Sequence, residues 1–367
     1  MRRTGLAGSR VARMRVVRMR AVPGLATALV AVAALAGCTG QASSPEPTIA
    51  LLLPESKTAR YEGIDRPVFE RVVAERCPGC RVLYANAGQD AAVQQAQAES
   101  ALTQGATVLV LGAVDAVAAR SIVTQAAARD VAVIAYDRFI DEVPLDYLVA
   151  YDAELVGALQ AQALVDAVGE PAAGHGVLQV NGAATDPNAV AQQAGAAQVL
   201  AAAGLTVLAA YDTPDWSPDK AQEWVQGQLT QYAGRVVGVL AANDGTAAGA
   251  ISALRGAGLS PVPPVTGQDA ELAAVQRIVA GDQAMTVFKA IPQQARTAAE
   301  LAVRLGRGEE PASAVQVQGV PAVLLAPVAV TRKDVADVIV AGGVYTAAQI
   351  CTAPYAAACA ELGLGGG

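Results

Sequence analysis

Short apolar runs punctuate this chain at intervals of about 25–30 residues, and that spacing constrains the fold more than any other feature. IALLL (49–53), RVLYA (81–85), TVLVLG (107–112), VAVIAY (131–136) and DYLVAY (146–151) are each near-continuously apolar. Between them lie Ala-rich stretches such as AAVQQAQAESALTQG and AVAARSIVTQAAARD, whose apolar positions form a helical stripe. Strands buried on both faces and joined by helical crossovers form a parallel sheet covered on both sides. The pattern restarts with GVLQV (176–180), TVLAAY (206–211), VVGVLAA (236–242), PVTG (264–267) and AMTVF (284–288). The expected architecture is therefore α/β, two doubly wound parallel-sheet lobes spanning 48–150 and 151–288.

The chain beyond residue 288 is too short for a third domain. IPQQARTAAELAVRLGRG reads as a helix, PAVLLAPVAV as a strand and TRKDVADVIVAG as another helix. These pieces are expected to cross back, completing the first lobe through about 289–322 and the second through about 323–345. The remainder, 346–367, is a tail with a Cys pair. Several crossings at one place make a multi-strand hinge, a topology suited to opening and closing about a cleft.

Residues 1–37 stand outside this scheme. They hold seven Arg and no acid, followed by the apolar run VPGLATALVAVAALAG, the layout of an export signal. The run ends at LAGC (35–38), which resembles the lipobox of bacterial lipoproteins and assigns Cys38 the lipid. The Pro/Ser-rich stretch through residue 47 then reads as a tether from the outer face of the membrane. Without the signal, 19 basic residues face 33 acidic ones, a net charge of −14. That surface is a poor partner for nucleic acid.

Four further cysteines form two close pairs, Cys77 with Cys80 and Cys351 with Cys359, which in an exported chain read as disulfides. C-x-x-C is also a redox spacing, but here it follows the amphipathic stretch VFERVVAER, the wrong end of a helix for lowering a thiol pKa. The single histidine, His175, sits in a Gly-rich turn, so Ser-His-Asp, Cys-His and multi-His metal sites are excluded. No phosphate-binding or dinucleotide-binding glycine motif is present. The chain reads as a binding protein without cofactor or metal, not as an enzyme.

Ligands of open parallel sheets bind beyond the carboxyl ends of the strands. There the sequence places Lys57, Arg60 and Tyr61 after the first run, then Asp137 and Arg138 after VAVIAY. In the second half it places Asp186 and Asn188 after GVLQV, Trp216 after TVLAAY, Asn243 with Asp244 after VVGVLAA, Asp269 after PVTG and Lys289 after AMTVF. Each has a purely structural alternative: Asp244 reads as a helix cap and Trp216 as a staple on the following helix. Together they make a coherent chemistry, because a sugar hydroxyl donates to carboxylates and accepts from Arg and Lys. Tyr61 and Trp216, from opposite halves, supply flat faces for a pyranose ring.

The runs KTARYE, AYDRFI, DYLVAYDAELVGALQAQALV, AANDGTAAGAISAL and TGQDAELAAVQRIVAGDQAMTVFK resemble the xylose-binding branch of the periplasmic sugar-binding proteins. The resemblance covers nearly all of 48–335. It implies a two-lobed Venus-flytrap receptor of the ribose/galactose-binding type that delivers an aldose, with D-xylose foremost, to an ABC permease. By matching positions it puts ligand contacts on Arg60, Tyr61, Asp137, Arg138, Asn188, Trp216, Asn243, Asp269 and Lys289, with Lys57 aligned to a basic residue. Two departures bear on which sugar is bound: Tyr61 where the family has Trp, and Pro187 beside Asn188. A sensory lipoprotein reporting to a membrane receptor or kinase is the alternative with the same site. Counting Lys57, Arg60, Arg138 and Lys289 against Asp137 and Asp269 leaves the cleft near +2, a balance that would admit a sugar acid.

Overall fold

The computed structural model describes residues 46–313 and 315–364; the signal, lipid-anchor (Cys38) and most of the tether expectations lie outside the described residues. The first five apolar runs become β1 (Thr48–Leu53), β2 (Arg81–Asn86), β3 (Val108–Leu111), β4 (Ala132–Tyr136) and β5 (Tyr147–Tyr151). They pair in parallel and are joined by two late strands, β10 (Val315–Val317) and β11 (Val320–Leu325), in the order β10-β11-β5-β4-β3-β1-β2. Only β10 runs antiparallel, at one edge.

Side-chain alternation makes the first sheet a shared wall between two cores. From β1, Ile49, Leu51 and Leu53 face a cluster with α1 (Arg66–Arg76) and α9 (Ile291–Gly306), including Phe69, Val72 and Ala298. Ala50 and Leu52 face the opposite cluster, with Leu102 of α2 (Ala91–Thr103) and Ile122 of α3 (Ala116–Ala127). Asp90 and Asp115 cap α2 and α3, each accepting from two backbone N–H groups.

The second layer is built on β6 (Gly176–Asn181), β7 (Val207–Asp212) and β8 (Val236–Ala241), parallel in the order β7-β6-β8. β9 (Met285–Phe288) and β12 (Val328–Thr331) form an antiparallel pair beside it. The run PVTG makes no full strand. It only bridges the two pieces, Val265 pairing with Val239 and Gln268 with Val287. Helices α4 (Ala153–Val168), α5 (Pro187–Ala203), α6 (Pro218–Gln231), α7 (Asp244–Gly256) and α8 (Leu272–Ala280) clothe this layer.

The chain passes between the layers three times: after β5, after β9, and between β11 and β12. The last crossing corrects the sequence reading in two ways. PAVLLAPVAV is two strands, because Pro327 has no N–H for a ladder and separates β11 in the first sheet from β12 in the second. The first lobe accordingly keeps the chain to Leu325 and not to 322. TRKDVADVIVAG is a 3-10 turn, Arg332–Asp334, opened by a Thr331–Asp334 capping box, followed by a π-helix, Val335–Ala341.

The tail folds onto the second lobe as α10 (Ala347–Ile350) and α11 (Ala356–Glu361), tied by the Cys351–Cys359 disulfide, with Cys359 buried against Ile339 and Ile350. Cys77, the C-cap residue of α1, is bonded to Cys80 just before β2. Both bridges close short loops.

Candidate functional site

The strand ends of both layers meet at one small cavity of about 290 Å³ of empty space, its walls polar. Nine of the ten residues proposed from sequence line it: Arg60, Tyr61, Asp137 and Arg138 from the first lobe, Asn188, Trp216, Asn243 and Asp269 from the second, and Lys289 at the crossing. Lys57 is the exception. It is exposed, and its neighbour Thr58 takes the place on the wall, because Glu55 accepts from the N–H groups of both Lys57 and Thr58 and curls the loop at that point.

The first-lobe wall is a fixed lattice of charges. Arg60 forms a bidentate pair with Asp65, at 2.9 and 2.8 Å, and its remaining nitrogen donates to Asp137 Oδ1 at 3.1 Å. Tyr136 donates to Asp65 from below, and Gln294 of α9 donates to Asp137 Oδ1 at 3.1 Å. Such forked pairing leaves the guanidinium no rotational freedom. Burial alone would raise the Asp137 carboxyl, but the charges of Arg60 and Lys289 outweigh it and hold the group well below the usual carboxylate range.

Asp137 and Arg138 do not satisfy each other. Arg138 reaches across the cleft, its Nε 2.8 Å from Asp186 Oδ2, while Nη1 donates to the Ala113 carbonyl at 2.8 Å. Asp186 also caps α5 by accepting from Asn188 N–H and receives the Trp216 indole N–H at 3.2 Å. Asn188 in turn donates back to Asp137, to its carbonyl at 3.1 Å and its Oδ2 at 3.2 Å. Four side chains from two lobes thus interlock around the cavity.

Backbone strain is concentrated here. Asp137 (φ 67°), Trp216 (φ 55°) and Asp269 (φ 91°) occupy the left-handed region that non-glycine residues avoid. Strain of this kind persists where the surroundings over-determine the geometry, and functional sites are where it gathers. Trp216 also requires Gly182, since a Cβ there would lie 2.2 Å from the indole. Lys289 stands 3.0 Å from Asp269, 3.9 Å from Asp137 and 5.5 Å from the centre of the Tyr151 ring.

Residues 49–310 match the family model of the periplasmic binding protein domain. The chain belongs to the periplasmic binding protein family. It is 33% identical over 317 residues to the D-xylose-binding periplasmic protein of Escherichia coli, covering 84% of this chain and 94% of that one. It is 30% identical to the multiple sugar-binding periplasmic receptor ChvE of Rhizobium radiobacter, covering 83% and 92%. Among solved structures it is similar to a carbohydrate transporter solute binding protein from Chloroflexus aurantiacus in complex with D-glucose, with a TM-score of 0.73, 29% identity, and coverage of 83% and 98%. Membership places the protein among exported solute-binding proteins and not among enzymes.

In this periplasmic binding protein the sequence-based charge count needs correction. With Lys57 outside, Arg60, Arg138 and Lys289 face three buried carboxylates on the wall, Asp137, Asp186 and Asp269, so the wall carries no net charge when all are ionised, and Asp65 behind it pairs with Arg60. The roles at the start of α7 are also exchanged. Asn243 is the cap, accepting from Thr246 N–H at 2.8 Å, whereas Asp244 is a buried hub for Gln283, Thr286 and the Glu271 N–H. Asp186, Gln192 and Gln268 line the cavity in addition to the ligand contacts expected from sequence. Asp186 was already among the strand-end residues of the sequence without being matched to a family contact, and Gln192 carried one usable signal, its place one helical turn after Asn188 on the same face of α5.

Proposed function

We propose that the protein is the receptor of an ABC sugar importer, that it binds one monosaccharide, D-xylose or a closely related aldose, between its lobes, and that Cys38 anchors it to the outer face of the membrane through lipid. The observation that carries the sugar reading is the composition of the cavity wall: carboxylates to accept, guanidinium and ammonium groups to donate, amides to do both, and two aromatic rings from opposite lobes. D-xylose is supported by the two D-xylose-binding relatives at 33% identity, each covering more than four fifths of this chain. A wall whose three cations are each matched by a carboxylate favours a neutral polyol over an aldonate.

A thermal-shift panel tests this directly. A ligand at about 100 times its Kd stabilises by about 2.7 kcal/mol, which raises Tm by several degrees. D-xylose or a related aldopentose is expected to give the largest shift and D-xylonate none. A panel of aldopentoses and aldohexoses that leaves Tm unmoved sinks the receptor reading. For the anchor, Cys38→Ser is expected to move the protein from the membrane fraction to the soluble extracytoplasmic fraction.

A further inference from the structure

Beside the ligand cavity lies a second, narrow chamber in the C-terminal lobe, with room for little more than one water. Its walls come from β6, the end of β8, α4 and α5, and five of the lining side chains are amides, among them Gln160, Gln179 and Asn181. All three are buried, as are Gln192 and Gln268, an unusual density of amide groups for a lobe interior. Gln192 alone lines both spaces.

Its side chain is the partition between them. Gln192 Nε2 donates to Gln268 Oε1 at 2.6 Å, so the two amides meet along the wall of the ligand cavity. Gln192 Oε1 is buried and has no partner. A buried acceptor left unpaired is disfavoured unless a donor reaches it, and the donor available to this one is a ligand hydroxyl or a water. The backbone beneath Gln192 cannot retreat, because Gly157 of α4 already approaches so closely that a Cβ there would lie 1.9 Å from the Gln192 carbonyl oxygen. The length of one side chain therefore sets how deep the ligand cavity runs.

We propose that Gln192 is a specificity-determining residue, the stop that limits the ligand to a pentose by closing off a chamber chemically suited to one more hydroxymethyl group. This rests on the monosaccharide reading above and deepens it. D-xylose and D-glucose differ only by the CH2OH on C5, and the amide oxygens of Gln160 and Gln179, whose N–H groups are engaged with carbonyls and with Asn181, are acceptors for its hydroxyl. Shortening residue 192 joins the chambers without adding charge, and alanine is the residue best tolerated in a helix.

Calorimetric titration of D-xylose and D-glucose into wild type, Gln192→Ala, Gln192→Ser and the near-isosteric Gln192→Glu tests the partition, with circular dichroism as the check on folding. Wild type is expected to prefer xylose. The Ala and Ser variants are expected to shift the glucose-to-xylose affinity ratio toward glucose by roughly tenfold or more, the scale at which pockets discriminate one carbon unit. Gln192→Glu keeps the stop filled, so it is expected to change affinity for both sugars while holding their ratio. An unchanged ratio in both shortened variants, or a wild type that binds glucose as tightly as xylose, overturns the partition alone. A wild type that binds no aldose overturns the receptor reading and the partition with it.

Discussion

Asp137 shows how a single position at a strand end acquires a function. It follows β4, takes a left-handed φ of 67°, and receives Arg60, Gln294 and Asn188 at about hydrogen-bond distance while Lys289 lies slightly further off. Three of those partners come from distant parts of the chain, so the carboxylate integrates both lobes and the crossing between them. Its substitution by Ala removes an acceptor for ligand hydroxyls and leaves Arg60 short of one partner. Asp137→Ala is expected to weaken sugar binding by about 2 kcal/mol or more, roughly 30-fold, the worth of a charge-assisted hydrogen bond. Arg138→Ala is expected to cost at least as much, because Asp186 then stays buried without its cation. Titration calorimetry gives the affinities, and an unchanged far-ultraviolet spectrum shows that the fold survives. Retention of wild-type affinity in either variant returns that residue to a structural role.

At the scale of elements, the crossing of α4 and α5 sets the second-lobe wall. Gly157 and Gly195 let the two helix backbones touch, a Cβ at either falling within 2.0 Å of the other helix's carbonyl oxygen. Because α5 begins with Asn188 and carries Gln192, any widening there displaces both. Gly157→Ala is expected to destabilise the protein by about 1–3 kcal/mol through overpacking, despite the better helix propensity of Ala, and to lower sugar affinity at a site it never touches. Thermal melts with and without sugar separate the two effects; a variant as stable and as avid as wild type removes this account of the crossing. The same elements show what the sequence made legible. The strands of the first sheet and their helices follow from apolar periodicity, and strand-end position selected ten wall residues, Asp186 among them. PVTG and the two-strand split at Pro327 were not legible, since their pairing is decided by which lobe the chain has entered. Lys57 against Thr58 was decided by the Glu55 turn, and Gln192 by a glycine contact 35 positions away in the chain.

For the whole molecule, contacts between the two lobes cross at the ligand cavity and beside it. Arg138 meets Asp186 at 2.8 Å, Asn188 meets Asp137 at 3.2 Å, and Thr185 donates to the Val114 carbonyl at 3.3 Å. Beside them stand two carboxyls from opposite lobes, Glu55 after β1 and Glu271 before α8. Burial, then the nearby Asp269 charge, pushes Glu271 up to about 7, against the pull of the Ala59 N–H and Arg277, and Glu55 adds to the rise. Glu55 is itself raised by burial despite the N–H groups of Lys57 and Thr58 and the charge of Arg138. Burial is the largest cause of the rise, so opening, which would return Glu271 to water and take Glu55 away, lowers it toward its ordinary value of 4.5 against the smaller opposing loss of the Ala59 N–H. The closed form then binds protons more tightly than the open form. Its advantage is complete below about pH 4.5 and is lost as the pH rises through about 7. Sugar affinity is therefore expected to be highest near pH 4.5, to decline as the pH rises to about 7, and to level off above it. Glu271→Gln, which keeps the shape and abolishes the titration, is expected to hold its affinity through that alkaline limb. Dissociation constants measured at pH 5.5, 7 and 8.5 for both proteins decide the matter, and a wild-type profile that is flat, or a decline that survives in Glu271→Gln, rules this carboxyl out as the source of any pH dependence in closure.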